Sequence, residues 1–105
     1  MDCPVAYAIS LLMGKWKLQI VWVIIQAKTI RFNELQRQVQ GISSLMLSKS
    51  LQELERDKII VRRQYNEIPP RVEYSPSELG SSLESALSEL GKWGTRAYRA
   101  AQASK

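Results

Sequence analysis

Apolar residues recur with helical spacing through the first half of the chain. A short apolar segment, residues 4–13, begins with a proline, which is suited to the first turn of a helix. A glycine separates it from residues 15–27, in which Trp16, Ile20 and Ile24 follow one another four residues apart. This second segment is apolar on most of its faces. It therefore predicts a helix that is buried at the centre of the fold or shared with a second subunit.

A second pair of predicted helices is joined by a short turn. Residues 32–39 carry apolar side chains at i, i+3 and i+7, and Gly41 ends this helix. The next helix begins with a serine cap at Ser43 or Ser44 and runs to about residue 57. Two short helices with a glycine-containing turn between them are typical of a helix-turn-helix. One narrow apolar stripe faces inward on the second of them: Leu47, Leu51 and Leu54.

The pattern then changes from helical to extended. Residues 59–65 and 71–75 are rich in β-branched and aromatic side chains, and a five-residue tip with two prolines joins them into a hairpin. Pro76 and Ser77 end the hairpin, and a long final helix follows over residues 78–101. The order of segments predicts a mainly α (α+β) fold. It is a winged helix-turn-helix with a two-stranded hairpin as the wing and a helical extension at each end.

The amino-acid composition indicates a positively charged chain and argues against several kinds of chemistry. The 105 residues contain 15 Lys and Arg against 10 Asp and Glu, a net charge of +5 that suits an anionic partner such as nucleic acid. Histidine is absent and there is one cysteine. These counts argue against triad hydrolysis, zinc chemistry and a disulfide scaffold, and we expect no metal and no cofactor. A chain of this length predicts one domain over residues 1–105.

The most apolar stretch, residues 18–25, is eight residues long, whereas a bilayer span needs about 20. We find no targeting segment in the sequence, and we expect no membrane partner. The sequence thus predicts a cytoplasmic protein.

The fourth helix carries the first candidate site. If its leucine stripe faces the core, the opposite side presents short hydroxyls, an amide and one cation, which suit contacts with base edges in the major groove of DNA. The alternative is an ordinary solvated face, but the position between a glycine turn and a basic hairpin favours DNA. The candidate residues for base readout are Ser44, Leu45, Ser48, Lys49 and Gln52.

Basic residues elsewhere are candidates for contacts with the DNA backbone. Those on the hairpin can lie on phosphates or along a minor groove beside the inserted helix. The alternative for Arg62 or Arg71 is an ion pair with Glu73 or Glu67 within the hairpin, and for the others a solvated surface position. The candidates are Lys15, Lys17, Arg31, Arg37, Arg62, Arg63 and Arg71.

The two terminal helices carry more apolar surface than a monomer of this size readily covers. Their aromatic residues follow the apolar stripes, so core or dimer packing is favoured over a ligand pocket. We expect a homodimer in which two recognition helices lie one DNA turn apart, roughly 34 Å, on a pseudo-palindromic operator. The aromatic residues in question are Tyr7, Trp16, Trp22, Trp93 and Tyr98.

Several short strings, spread over nearly the whole chain, occur together in an order specific to one family. They are Cys3-Pro4-Val5, Gly14-Lys15-Trp16-Lys17, Arg31-Phe32-Asn33-Glu34-Leu35, Gly41-Ile42-Ser43, Leu47-Ser48, Leu51, Leu54-Glu55, Pro69-Pro70-Arg71-Val72-Glu73-Tyr74, Gly80, Leu83 and Trp93-Gly94. With these strings the chain resembles the HxlR-type winged helix regulators.

The resemblance implies a small bacterial or archaeal DNA-binding dimer that regulates transcription. It also implies that Cys3 is a candidate sensor of oxidants or electrophiles, while an inert cysteine is the alternative. Whether a small molecule or an oxidant is the effector stays open. The chain departs from the family pattern in lacking a basic residue at Leu45, in having Lys58 where glycine is usual, and in having Pro76-Ser77 in place of Leu-Thr.

Two other kinds of function are alternatives to a transcriptional regulator. A winged-helix module that binds an acidic protein would use the same surface, but would bind DNA weakly and without sequence preference. An enzyme is disfavoured because the sequence lacks a nucleophile beside a base and a glycine-rich phosphate loop.

Overall fold

The computed structural model describes residues 1–104 and contains six helices and one hairpin in that range. The second, third and fourth helices and both strands lie where the sequence predicts them, to within two residues at each end. The order and kind of elements confirm the winged helix-turn-helix. The elements are α1 Pro4–Leu12, α2 Lys17–Ala27, α3 Phe32–Gln38, α4 Ser44–Arg56, β1 Ile60–Tyr65, β2 Arg71–Pro76, α5 Glu78–Ser81 and α6 Glu84–Ala103.

The core forms around α2, as its apolar faces predict. Ile20 and Ile24 of this helix are fully buried, together with Leu35 of α3 and Leu47 and Leu54 of α4. Trp16 and Trp22 are only partly buried, and Trp16 packs against the core. The helix-turn-helix is therefore assembled on a central helix that contributes side chains to several of its neighbours.

The hairpin is antiparallel, with Arg63 opposite Glu73 and Tyr65 opposite Arg71. Its second strand also pairs on the other side with Ile30, because Ile30 and Tyr74 exchange two backbone hydrogen bonds of 2.9 and 2.8 Å. Ile30, just before α3, is thus part of an extended segment. This bridge attaches the base of the hairpin to the helix-turn-helix.

The corner between α4 and β1 is a Schellman motif. The N–H of Ile59 donates to the carbonyl of Leu54 at 2.9 Å, and the N–H of Lys58 donates to the carbonyl of Glu55 at 3.0 Å. Lys58 occupies the left-handed position of this motif with φ = 63°, where glycine is the usual residue. Because this conformation brings a Cβ close to the backbone, it is less favourable for lysine than for glycine.

The prediction of one long final helix over residues 78–101 is wrong in one respect, because the structure divides this segment into two helices. A four-residue α5 precedes α6, and the chain turns at Ser82 and Leu83. At Gly80 an added Cβ would lie 2.1 Å from the carbonyl oxygen of Ile59, so this turn of helix is pressed against the α4–β1 corner. That contact fixes the direction of α5, and the chain must change course before α6.

Ser77 joins α5 to the same corner. Its hydroxyl oxygen accepts the N–H of Gly80 at 3.0 Å, which caps α5, and its hydroxyl donates to the carbonyl of Lys58 at 2.7 Å. The departure from the family's Leu-Thr at this point therefore preserves the helix cap.

The outer helices α1 and α6 contain no buried residue. Leu83 and Leu87 pack partly against the core, but Leu90 is 48% exposed and Trp93 is 59% exposed. The apolar side of α6 therefore meets the core only near Leu83 and Leu87, and the rest of it faces outward.

Among the described residues, no single helix is both long enough and apolar enough to cross a membrane. The helices α1 and α2 reach the required length only together, and they meet at an angle of 82°.

Candidate nucleic-acid interface

The helix α4 is held with its two sides in different environments. Ser43 caps it, since the Ser43 hydroxyl oxygen accepts the N–H of Met46 at 3.1 Å. Leu47, Leu51 and Leu54 are at most 2% exposed, which confirms the predicted inward stripe. The rotation of α4 about its own axis is therefore fixed by the core.

The five candidate readout residues lie on the outer part of α4. Ser44, Leu45, Lys49 and Gln52 are exposed, and Ser48 is half-buried. Their positions in the sequence place all five within less than half of the helix circumference. The structure therefore brings them together on one open surface, which we call the α4 outer face.

One arginine of the hairpin lies beside this face. Arg62 lines a small crevice of about 210 Å³ together with Ser48 and Gln52 of α4. Its guanidinium donates to Gln64 Oε1 at 3.4 Å, which directs it along β1. A hydroxyl, an amide, a guanidinium and the carboxylate of Glu55 thus line the crevice where the helix meets the hairpin.

The turn before α4 is fastened by a residue that the sequence analysis missed. Gln36 Nε2 donates to the carbonyl of Ile42 at 3.3 Å, and the Ser44 hydroxyl donates to Gln36 Oε1 at 3.3 Å. Gly41 has φ = 89°, and an added Cβ there would lie 3.6 Å from the ring of Trp16. An amide on a short surface helix gives no distinctive signal, so only the fold shows that Gln36 positions Ser44.

Five of the seven candidate backbone contacts are exposed at the surface, and four of these form no ion pair among the residues that the structure describes. Arg31 precedes α3, and Lys15 lies with its Nζ 4.8 Å from the centre of the Trp16 ring. Arg62 and Arg63 are neighbours on β1, where successive side chains point to opposite faces. These side chains are accessible to a phosphate backbone.

Lys17 does not lie where its expected role requires. Its side chain is 10% exposed, and its Nζ is 2.8 Å from Glu53 Oε2 on α4. The hydrogen bond from Lys17, together with its charge, holds the pKa of Glu53 below its usual value. Lys17 therefore joins α2 to α4, and it has neither the exposure nor the free charge that a DNA contact needs.

Arg37 is exposed but paired with Glu34 on the same helix. The Gln38 amide donates to Glu34 at 3.1 Å, and this hydrogen bond, followed by those from Arg37, lowers the pKa of Glu34. An exposed pair of this kind contributes little to stability, so a phosphate can compete for Arg37.

Arg71 forms ion pairs within the hairpin, which is the alternative that the sequence analysis gives to a DNA contact. Its Nη2 is 3.2 Å from Glu67 Oε1, and its Nε is 3.6 Å from Glu73 Oε2. Its guanidinium also stacks 4.0 Å from the centre of the Tyr65 ring. With three partners in the hairpin, Arg71 stiffens the hairpin and leaves little free charge for DNA.

Cys3 lies at the predicted helix start. Its Sγ accepts the N–H of Ala6 at 3.4 Å and so caps α1, and the side chain is exposed. The thiol is therefore accessible to a reagent in solution.

The fold is that of a winged helix-turn-helix, and comparison with known proteins identifies the family. The family model described as HxlR-like helix-turn-helix matches residues 11–102. The chain belongs to the HxlR family and is a transcriptional regulator of the helix-turn-helix type.

Individual relatives agree with this assignment. The chain is 41% identical over 95 residues to the HTH-type transcriptional regulator BH0655 of Halalkalibacterium halodurans, covering 90% of this chain and 84% of that protein. The redox regulator HypR in its reduced form superposes with a TM-score of 0.89 at 35% identity, covering 96% of this chain and 99% of that one. Reduced YodB of B. subtilis gives a TM-score of 0.77 at 34% identity, covering 89% and 91%.

Proposed function

We propose that this regulator binds double-stranded DNA in a sequence-specific manner as a homodimer, with α4 of each protomer in a major groove. The observation that carries the proposal is the α4 outer face, whose polar side chains lie exposed next to Arg62. Gln52 and Lys49 are suited to adenine and guanine edges respectively, and Leu45 to a thymine methyl group. Because the DNA of a bacterial or archaeal cell lies in the cytoplasm, this proposal also places the regulator there.

The proposed backbone contacts are Lys15, Arg31, Arg62 and Arg63, since each is exposed and, unlike Arg37, forms no ion pair among the described residues. Four contacts in each protomer correspond to eight in a dimer, for which the slope of log K against log salt is about −7. This slope is measured by titrating a labelled duplex at several salt concentrations. A slope near zero would contradict the assignment of these four residues.

Base readout is tested by separating sequence preference from overall affinity. An operator is first selected from random duplexes, and the double variant Lys49→Ala/Gln52→Ala is titrated against that operator and a scrambled duplex. We expect the variant to lose its preference, by about tenfold or more, and to keep its salt-dependent binding.

The matched control is Arg63→Ala, which alters a backbone contact. It is expected to weaken binding to both duplexes equally and to make the salt slope shallower by about 2 in a dimer. Equal losses on both duplexes for the Lys49/Gln52 variant would contradict the proposed readout. Weak binding without sequence preference by the unaltered protein would instead favour the protein-interaction module.

The proposed homodimer rests on the outer helices. Exposed apolar residues that a second copy can cover occur on both outer helices: Ile9 on α1, and Leu90, Trp93 and Tyr98 on α6. Two-fold symmetry then places two α4 helices about 34 Å apart on a pseudo-palindromic operator.

The dimer is tested by sedimentation of two charge variants of α6. Trp93→Glu alters the exposed apolar side, and we expect it to sediment as a folded monomer. Arg99→Glu alters the polar side of the same helix and is expected to remain dimeric. If Trp93→Glu stays dimeric, α6 is not the interface.

We further propose that Cys3 makes the regulator responsive to oxidants. Support comes from its exposed thiol and from the resemblance to HypR and YodB, since HypR is described as a redox regulator. Oxidation would join the Cys3 thiols of two copies in a disulfide and transfer two electrons and two protons to the oxidant. Non-reducing electrophoresis after mild oxidant, with Cys3→Ser as control, tests this: no covalent dimer and unchanged DNA binding would exclude it.

A further inference from the structure

A cavity of about 540 Å³ lies between α1 and the α4–β1 corner. Tyr7 and Leu11 of α1 line one wall, and Leu79 and Leu83 of the α5–α6 segment line another. The third wall is the corner itself, residues 56–59. Sites that bind small organic molecules have volumes of about 300–1,000 Å³ and combine apolar walls with a few polar groups. The cavity therefore has the size and the lining of a ligand site.

The charged side chains that line the cavity lie on its third wall. Arg56 and Asp57 neutralise each other, because the Arg56 guanidinium donates to the Asp57 carboxylate at 3.3 Å through both Nε and Nη2. Lys58 is exposed and forms no ion pair among the residues that the structure describes. An apolar space with an ammonium group at its rim is complementary to a molecule with an apolar body and one negative charge.

The cavity and the proposed dimer contact use different sides of α1. Tyr7, Ala8 and Leu11 line the cavity. Ile9 is 52% exposed and does not line it, since each further residue of a helix is turned by about 100°. A second copy can therefore cover Ile9 without filling the cavity.

We propose that this cavity binds a small organic anion, such as an apolar carboxylate, with its body between α1 and the α5–α6 segment and its negative charge at Lys58. The leucines and the Tyr7 ring contact the body, and burial of its apolar surface supplies most of the affinity. The ion pair with Lys58 then distinguishes the anion from an uncharged molecule of the same shape.

A molecule in this cavity would contact two parts of the protein that matter for DNA binding. Ile59 of the third wall donates its N–H to the carbonyl of Leu54, so the corner continues directly from α4. The opposite wall belongs to α1, one of the two proposed dimer helices. The anion is therefore expected to change the angle between α4 and the dimer contact, and with it the affinity for the operator. This consequence, unlike the binding itself, rests on the proposed function.

Binding is tested with two fluorescent probes that differ in charge. Anilinonaphthalene sulfonate is an apolar anion that binds exposed hydrophobic surface, and phenylnaphthylamine has the same rings without the sulfonate. Each is titrated into the full chain and into its variants. Circular dichroism and sedimentation verify that the variants keep the fold and the oligomeric state.

The contribution of the charge is measured with two matched lysine variants. Lys58 and Lys28 both have a left-handed backbone, with φ = 63° and 69°, and Lys28 follows α2 and does not line the cavity. Replacement by glycine removes one charge and relieves the same kind of backbone conformation in both cases. Lys58→Gly is expected to bind the sulfonate about fivefold more weakly and phenylnaphthylamine unchanged, whereas Lys28→Gly should bind both as the unaltered protein does.

The location of the probes is measured with Ala8→Phe, which places an aromatic ring in the cavity. This variant is expected to lose at least about tenfold in affinity for both probes. A saturating concentration of the sulfonate is expected to change the affinity of the unaltered protein for the selected operator by about fivefold or more, and to have no effect on Ala8→Phe.

Equal losses of sulfonate affinity in Lys58→Gly and Lys28→Gly, or undiminished binding by Ala8→Phe, would overturn the anion site. Binding that occurs only in Trp93→Glu would show that a second copy fills the cavity, and would overturn it as well. Unchanged operator affinity with the sulfonate bound would overturn the link to DNA. A protein that does not distinguish the operator from a scrambled duplex would overturn the proposed function alone, because the probe titrations are made without DNA.

Discussion

The helices α4 and α6 have similar amphipathic sequences and opposite surroundings. In α4 the apolar stripe is buried, with Leu54 fully enclosed, whereas in α6 Leu90 is 48% exposed and Trp93 is 59% exposed. Both patterns predict a covered face. The comparison teaches that periodicity shows which side of a helix is covered, but not whether the cover comes from the same chain.

The largest expected effect on stability concerns the contact between α5 and the α4–β1 corner. Gly80→Ala would place a Cβ 2.1 Å from the carbonyl oxygen of Ile59. Because backbone must move to relieve this contact, we expect a loss of more than about 3 kcal/mol in the free energy of unfolding, measured in urea.

The control for this substitution is Gly91→Ala in α6. An added Cβ at Gly91 meets nothing within 4 Å in the protomer. It should leave the protomer unchanged or stabilise it by up to about 1 kcal/mol through helix propensity. Equal destabilisation by both variants would show that the close approach of Gly80 to Ile59 does not constrain the fold as described.

The comparison of α4 with α6 is sharpest for two leucines. Leu54→Ala leaves a cavity in the core and is expected to lower the free energy of unfolding by about 3 kcal/mol, independently of protein concentration. Leu90→Ala should have little effect on a protomer, and its effect should depend on protein concentration because it weakens an interface between copies.

Urea denaturation at two protein concentrations a hundredfold apart separates these cases. If Leu90→Ala has the same effect at both concentrations, the exposed side of α6 is not covered by a second copy. A concentration-dependent loss for Leu54→Ala would equally break the distinction between the two helices.

A smaller effect of opposite sign is expected at the end of α4. Lys58→Gly relieves the left-handed conformation at φ = 63° and should stabilise the protein by about 1 kcal/mol. Lys49→Gly, in the interior of the same helix, should instead destabilise it by about 1 kcal/mol. Thermal denaturation measures both, and a loss of stability in Lys58→Gly would contradict the strain at this corner.

The smallest expected effect concerns pH. The pKa of Glu53 is lowered by Lys17, so the folded protein binds fewer protons at this carboxyl than the unfolded chain does. Its contribution to stability is complete above the usual glutamate pKa, and it is lost as pH falls through the lowered value. Denaturation between pH 7 and pH 3 should show a shallower acid loss in Lys17→Met than in the unaltered protein. An identical pH dependence would exclude the coupling.

The helices α2 to α4 and the hairpin were predictable because local spacing already determines which faces are apolar. The break between α5 and α6 was not, because it depends on the contact of Gly80 with Ile59, which is distant in the sequence. No window of α5 and α6 alone contains that information.

The candidate site also has a part that could be predicted from the sequence and a part that could not. The face of α4 follows from its leucine stripe, so its outer residues could be identified from the sequence alone. The partners of basic residues could not, because Lys17 meets Glu53 only when α2 packs on α4. For Arg71 the ion pairs with Glu67 and Glu73 were a named alternative, and the fold selects them.

The two hydrogen bonds between Ile30 and Tyr74 make the base of the hairpin more rigid than its outer half. The base is anchored on both sides of the second strand, so bending is confined to the outer half of the ribbon. Amide hydrogen exchange should be slow at Ile30 and Tyr74 and faster towards the tip. In the proposed complex with DNA, the outer part of the hairpin therefore adjusts its angle, while the anchored base preserves its alignment with the helix-turn-helix.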